Sequence, residues 1–172
     1  EALHASTLDG AVLDAVSSTI SVLKSPTVLR LEDGSFYGWE GVHEQEGSCE
    51  GTCTHVWSYA YALCFLFPDL ERGLRDTEFR YDTDENGRMY FRTALPLGRG
   101  YVVQPPCVDG QMATVIKAYR EWKISGDNDW LREHWGDIKR ILEFAWNEKN
   151  TFEWDRDHDG VLEGRQHHTL DM

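Results

Sequence analysis

The chain has 172 residues, 41% of them apolar and 12% aromatic, which is enough for one domain with its own core and too apolar for a disordered segment. Seventeen Lys and Arg stand against 30 Asp and Glu, a formal charge of −13. That balance excludes nucleic acids and anionic membranes as natural partners, because phosphates need a basic surface.

Residues 11–23 carry apolar side chains at helical spacing, and Pro26 is the expected stop. Residues 28–31 and 35–39 flank Asp33-Gly34, a two-residue hairpin signal. Residues 41–51 have no period and are rich in Gly and Glu, so they read as a loop. Residues 54–67 are apolar nearly all round and predict a buried helix ended by Pro68. Its run 59–67 is too short to span a bilayer, and residues 70–79 suggest a further short helix. Residues 80–92 read as a second hairpin around Asn86-Gly87, and 93–108, with three prolines, as irregular. Two amphipathic helices, 110–125 and 129–147, are joined by Ser125-Gly126-Asp127 as an αα-hairpin.

The cysteines, Cys49, Cys53, Cys64 and Cys107, form no paired C-x-x-C framework, so a reduced, cytoplasmic chain is expected, with Cys64 a buried thiol. The N-terminus shows no basic region followed by an apolar run, so no signal peptide is expected. Helical hairpins separated by β-insertions suit an all-α toroid of paired helices, of which a chain this long would supply the first few members.

Paired carboxylates are the first chemistry to consider, since glycosidases need one as nucleophile or base and one as proton donor. Glu40 follows the aromatic strand Phe36-Tyr37-Gly38-Trp39 and sits beside a loop. Asp171 closes a polar run between Leu170 and Met172, whose apolar side chains could raise its pKa. Seven Trp suit sugar binding, because an indole face matches the C–H face of a pyranose. Asp155, Asp157, Asp159 and Gly160 follow the start of a calcium loop; the twelfth position is Gln166, and Glu163 at the ninth is the substitute ligand. A structural calcium ion and an Asp-rich turn closed by its own hydrogen bonds are both open. His55 opens the buried helix and could face a cavity. His167 and His168 are adjacent, and in a strand they would point to opposite faces.

These stretches together resemble glycoside hydrolase family 116, the group of non-lysosomal glucosylceramidases and bacterial β-glucosidases. The resemblance rests on GSFYGWEG (34–41), CTHVWSYAYALCFLFPDLE (53–71), KAYREWKISGDNDWL (117–131) and DRDHDGVLEGRQHHTLD (155–171). It implies an (α/α)6 toroid with inserted β-hairpins and a retaining β-glycosidase. Glu40 is then the nucleophile and Asp171 the acid/base, with Glu44, Glu46 and Glu50 as rival nucleophiles. Thr169, His168, His55, Trp39 and Asp109 form the implied substrate-binding set. No catalytic cofactor is implied, and the implied partner is a β-glucoside, with a glycolipid among the candidates; an open toroid would also favour an oligomer. His55 stands where the ceramidase-like pattern has Asp, and Leu97-Gly98 where it has His-Asp, so the sugar is open. The competing expectation is a catalytically silent sugar-binding toroid or a calcium-stapled helical module.

Overall fold

The computed structural model describes residues 2–20, 23, 25, 27–42, 47–100 and 105–167. Glu44, Glu46, His168, Thr169 and Asp171 lie outside the described residues, as does the expected helix stop Pro26. Among the described residues the chain is mostly helical, with six α-helices and two small two-stranded sheets.

Helix α1 (Gly10–Ile20) starts where the Asp9 carboxylate accepts the Ala11 N–H at 2.8 Å, and none of its residues is buried. Strands β1 (Val28–Arg30) and β2 (Phe36–Gly38) pair antiparallel. Their connection spans three residues, 32–34, where the Asp-Gly signal predicts two. Leu31 N–H donates to Ser35 O, Ser35 N–H donates to the Asp33 carboxylate at 2.8 Å, and Gly34 takes φ +87°. The side-chain bond and the left-handed glycine together lengthen the turn by one residue. β2 is wholly buried, and Gly38 is required there: a Cβ would stand 2.3 Å from the Trp57 ring. The expected loop at 41–51 instead contains a two-residue ladder, β3 (Gly41–Val42) with β4 (Gly47–Ser48).

The buried helix predicted over 54–67 is two short ones, α2 (Thr54–Trp57) and α3 (Ala62–Leu66). In a continuous helix the His55 carbonyl would accept from Tyr59. Here both the N–H and the hydroxyl of Ser58 take it, at 3.2 and 2.5 Å, and the chain tightens to i−3 bonding through Ala60. The run is not buried all round either: Tyr59, Tyr61 and Phe65 are each 60% or more exposed. Cys64 is a buried free thiol, as expected. Pro68 does not only end α3; it is the first residue of α4 (Pro68–Tyr81), because its missing N–H costs nothing in a helix's first turn. That helix consumes the start of the expected second hairpin, which reduces to the bridge Thr83–Met89 around a turn capped by Asp84.

Helices α5 (Val108–Ser125) and α6 (Asn128–Glu143) form the αα-hairpin. Gly126 ends α5 at φ +68°, and the Asp127 carboxylate accepts the N–H groups of Asp129 and Trp130. A 3-10 turn, Phe144–Trp146, closes α6. One core gathers Phe79, Met89, Ala118, Trp130, Ile138 and Ile141, and a second Val108, Phe144, Ala145 and Trp154. Gln111, fully buried, ties the first core to the 84–89 turn: its amide accepts from Met89 N–H and donates to the carbonyls of Gly87 and Ile141.

The α4–α5 contact is polar where amphipathic spacing suggests an apolar seam. Glu71, Arg75 and Glu78 of α4 and Thr114, Lys117 and Glu121 of α5 are all buried. Glu78 accepts from Arg75 and from Thr114 (3.2 Å) and lies 3.5 Å from Lys117 Nζ, while Arg120 reaches Glu71 at 2.9 Å. Desolvation, aided by the neighbouring Arg75, depresses the Lys117 pKa to about 8. Such a network is stable only while each charge keeps its partner. No helix among the described residues is long and apolar enough to cross a membrane.

Candidate functional site

Glu40 lies between β2 and β3, one residue after Trp39. Its N–H is shared by the carbonyls of Ser48 and Cys49, both at 3.1 Å, and its carboxylate lies 2.6 Å from Arg92 Nη2. Arg92 is buried, donates through Nη1 to the Glu50 carbonyl at 2.9 Å and covers the Phe91 ring at 4.8 Å. Burial works against its charge, but the neighbouring Glu40 carboxylate helps to outweigh that and hold the guanidinium charged. The segment beneath is strained: Cys49, Gly51 and Thr52 all have positive φ, at 53°, 92° and 47°. For β-branched Thr52 that conformation costs about 1–3 kcal/mol. It persists because Thr52 N–H donates to Gly38 O, Gly38 N–H to Thr52 Oγ1, and Thr93 N–H to Gly51 O. Glu40 is thus held by its backbone N–H on one side and by Arg92 at its carboxylate on the other.

The rival Glu50 presents its carbonyl to Arg92, and its side chain is exposed. Trp39 is half-buried next to Glu40 in the chain, with its N–H donating to Thr27 O.

Behind Glu40 lies a cluster built from α2 and the start of α5. Cys53 caps α2 by accepting the Val56 N–H, and burial pushes its thiol pKa to about 12. His55 Nδ1 is hydrogen-bonded to one oxygen of Asp109, while Cys107 donates to the other at 2.6 Å. Burial raises the Cys107 thiol, and Asp109 raises it further. Burial likewise opposes ionisation of Asp109, but the hydrogen bonds from Cys107 and His55 prevail and hold it below the ordinary carboxylate range. Tyr59 stands edge-on to His55 at 5.3 Å. Gly110 lets the two helices meet: a Cβ there would stand 2.6 Å from Thr54 Oγ1 and 2.7 Å from His55 N.

The C-terminal stretch packs against the same region. His167 is buried, its ring 4.8 Å from Phe91, and its carbonyl accepts the Val108 N–H at 3.3 Å. His168, Thr169 and Asp171 follow it in the chain, outside the described residues. Further back, Trp154 is fully buried and donates to Arg165 O at 3.0 Å. The carboxylate oxygens of Asp155, Asp157 and Asp159 come within 4.8 Å of one another. Asp155 is itself buried and accepts the N–H groups of Asp159 (3.0 Å) and Gly160, which takes φ +88°. The pKa of Glu163 is raised, first by desolvation and then by the charges of Asp157, Asp159 and Asp155, but its carboxylate is not among the oxygens that converge, so the expected ninth-position ligand is not brought into the cluster. The three Asp could hold a hard cation, and the hydrogen bonds through Asp155 and Asp159 also fold the turn by themselves.

The structure thus places Glu40, His55 and Asp109 around the first turns of α2 and α5. It also brings in Arg92, Cys53 and Cys107, which sequence reasoning missed. The C-x-D spacing of Cys107 and Asp109 at the head of a helix was the available signal; nothing local marks Arg92 as the partner of Glu40. No protein-family model matches the chain, and no curated protein matches it.

Proposed function

We propose that the chain belongs to a retaining β-glycosidase acting on a β-glucoside or a related β-linked sugar. Glu40 attacks the anomeric carbon while Asp171 protonates the leaving oxygen; Asp171 then takes a proton from the water that hydrolyses the glycosyl-enzyme. The observation that carries this reading is the fixed carboxylate of Glu40, paired with a buried Arg92 2.6 Å away on a strained support. A nucleophile must hold one orientation through two steps, and a buried guanidinium both orients it and balances its charge. His167, which leads into the segment bearing Thr169 and Asp171, packs on Phe91, the chain neighbour of Arg92. The helix pairs suit the (α/α)6 toroid of the family that the sequence resembles, with His168, Thr169 and Trp39 as sugar contacts. Catalysis in this reading needs no cofactor, and a calcium ion in the Asp loop would act as a structural staple.

The test is covalent trapping. The full-length protein is incubated with a 2-deoxy-2-fluoro-β-glucoside bearing a good leaving group, and the labelled peptide is mapped by mass spectrometry. The label is expected on Glu40 and absent from Glu40→Gln. Label on Glu44, Glu46 or Glu50 would remove Glu40 from its role, and no label on folded protein would reject the β-glucosidase reading.

A further inference from the structure

Cys107, Asp109 and His55 are a mixed donor set at the meeting of two helices; the two carboxylate steps of the proposed mechanism do not fall on them, although the resemblance implies His55 and Asp109 as sugar contacts. Their thiol, carboxylate and imidazole atoms all lie within 4.8 Å of one another. Cys107 Sγ is 2.6 Å from one Asp109 oxygen, and His55 Nδ1 is hydrogen-bonded to the other. Cys107 is 1% and His55 8% exposed, whereas the Asp109 side chain is 40% exposed. The set is therefore closed on two sides and open on the third.

We propose that these three residues bind a zinc-class divalent transition ion, leaving a fourth position open toward solvent for water or another oxygen ligand. Sulfur and nitrogen donors with one carboxylate select zinc-like ions over calcium or magnesium, which take oxygen alone. Bonds of about 2.0–2.3 Å from a tetrahedral ion place its donors roughly 3.3–3.8 Å apart. Separating the present contacts by about an ångström is a side-chain adjustment. The backbones are already fixed, since Cys107 is the N-cap of α5, Asp109 lies in its first turn, and Gly110 holds α5 directly against Thr54 and His55. The all-oxygen loop at Asp155, Asp157 and Asp159 makes a chemical contrast within the same chain.

Proton balance follows from the donors. The Cys107 thiol gives up its proton to solvent and binds as thiolate. Neutral His55, whose Nδ1–H donates to the ionised Asp109 in the metal-free protein, shifts its proton to Nε2 through solvent and binds through Nδ1, and Asp109 binds as the carboxylate it already is. About one proton leaves per ion bound.

The metal-free full-length protein is titrated with Co2+ and followed by absorbance, with proton release measured calorimetrically in buffers of different ionisation enthalpy. The expected result is a thiolate-to-cobalt charge-transfer band with tetrahedral d–d bands, saturating at one ion per chain and displaced by Zn2+. Cys107→Ser should abolish the charge-transfer band, and Asp109→Asn should weaken binding at least about tenfold. Cys49→Ser and Asp157→Asn should leave the band intact, since the exposed thiol and the acidic loop lie outside the site. Absence of a charge-transfer band in folded wild-type protein overturns the proposal without any variant having to fold. Survival of the band in Cys107→Ser, or its loss in Cys49→Ser, overturns it equally. None of these outcomes depends on glycosidase activity.

Discussion

Asp82 provides a direct measure of how dry the centre of this fold is. It caps the end of α4, is 2% exposed, and accepts the Thr93 hydroxyl at 2.5 Å. Desolvation pushes its pKa from 3.8 to about 8; the Thr93 bond opposes the rise and the Glu78 charge adds to it. The folded chain therefore keeps a proton on Asp82 that the unfolded chain releases near pH 4. The sign follows: with the folded pKa raised, the contribution is full below pH 4 and is lost as pH rises toward 8. Each pH unit in that window is worth about 1.4 kcal/mol, on the order of 5 kcal/mol in total and roughly 3 kcal/mol between pH 5.5 and 7.5. Asp82→Asn replaces the neutral acid with a neutral amide that still accepts from Thr93, so it removes the titration and keeps the bond. Urea unfolding of both proteins at pH 5.5, 6.5 and 7.5 isolates the effect, because shared groups cancel in the difference. Lys117, which titrates near pH 8, acts in the opposite direction only above that range. The stability of wild type minus Asp82→Asn should fall by about 1.4 kcal/mol for each pH unit. A difference constant over this range would show that Asp82 ionises inside the fold, and the argument from desolvation would be wrong.

Gly110→Ala places a methyl 2.6–2.7 Å from Thr54 and His55, where the backbone must move. The expected loss is about 1–3 kcal/mol in thermal or urea melts, and an unchanged melt would show that α2 can shift away from α5. In the Asp loop, hydrogen bonds run through Asp155 and Asp159, so Asp157→Asn should leave the calcium-free melting temperature nearly unchanged. It should also abolish any rise produced by calcium; a wild-type melt insensitive to calcium would leave the loop closed by its hydrogen bonds alone.

Local chemistry made much of this chain legible. The αα-hairpin follows from Gly126 and Asp127, a left-handed stop and an N-cap, and both act within a few residues of themselves. The strand leading to Glu40 follows from the Asp-Gly turn signal beside it, and the D-x-D-x-D-G run brought its own oxygens together. The broken helix at 58–61 was hidden because apolar content is no measure of where backbone carbonyls go; the Ser58 hydroxyl settled that. Which partner each polar group found was also hidden. Arg92 for Glu40, Asp109 for His55, and Lys117 for Glu78 lie 39 to 54 positions apart in the chain, and pairing at that separation is decided by packing. Amphipathic spacing marked one face of α5 as inward, but only its packing on α4 determined that the seam is charged, because a buried ion needs a counter-ion that no local pattern names.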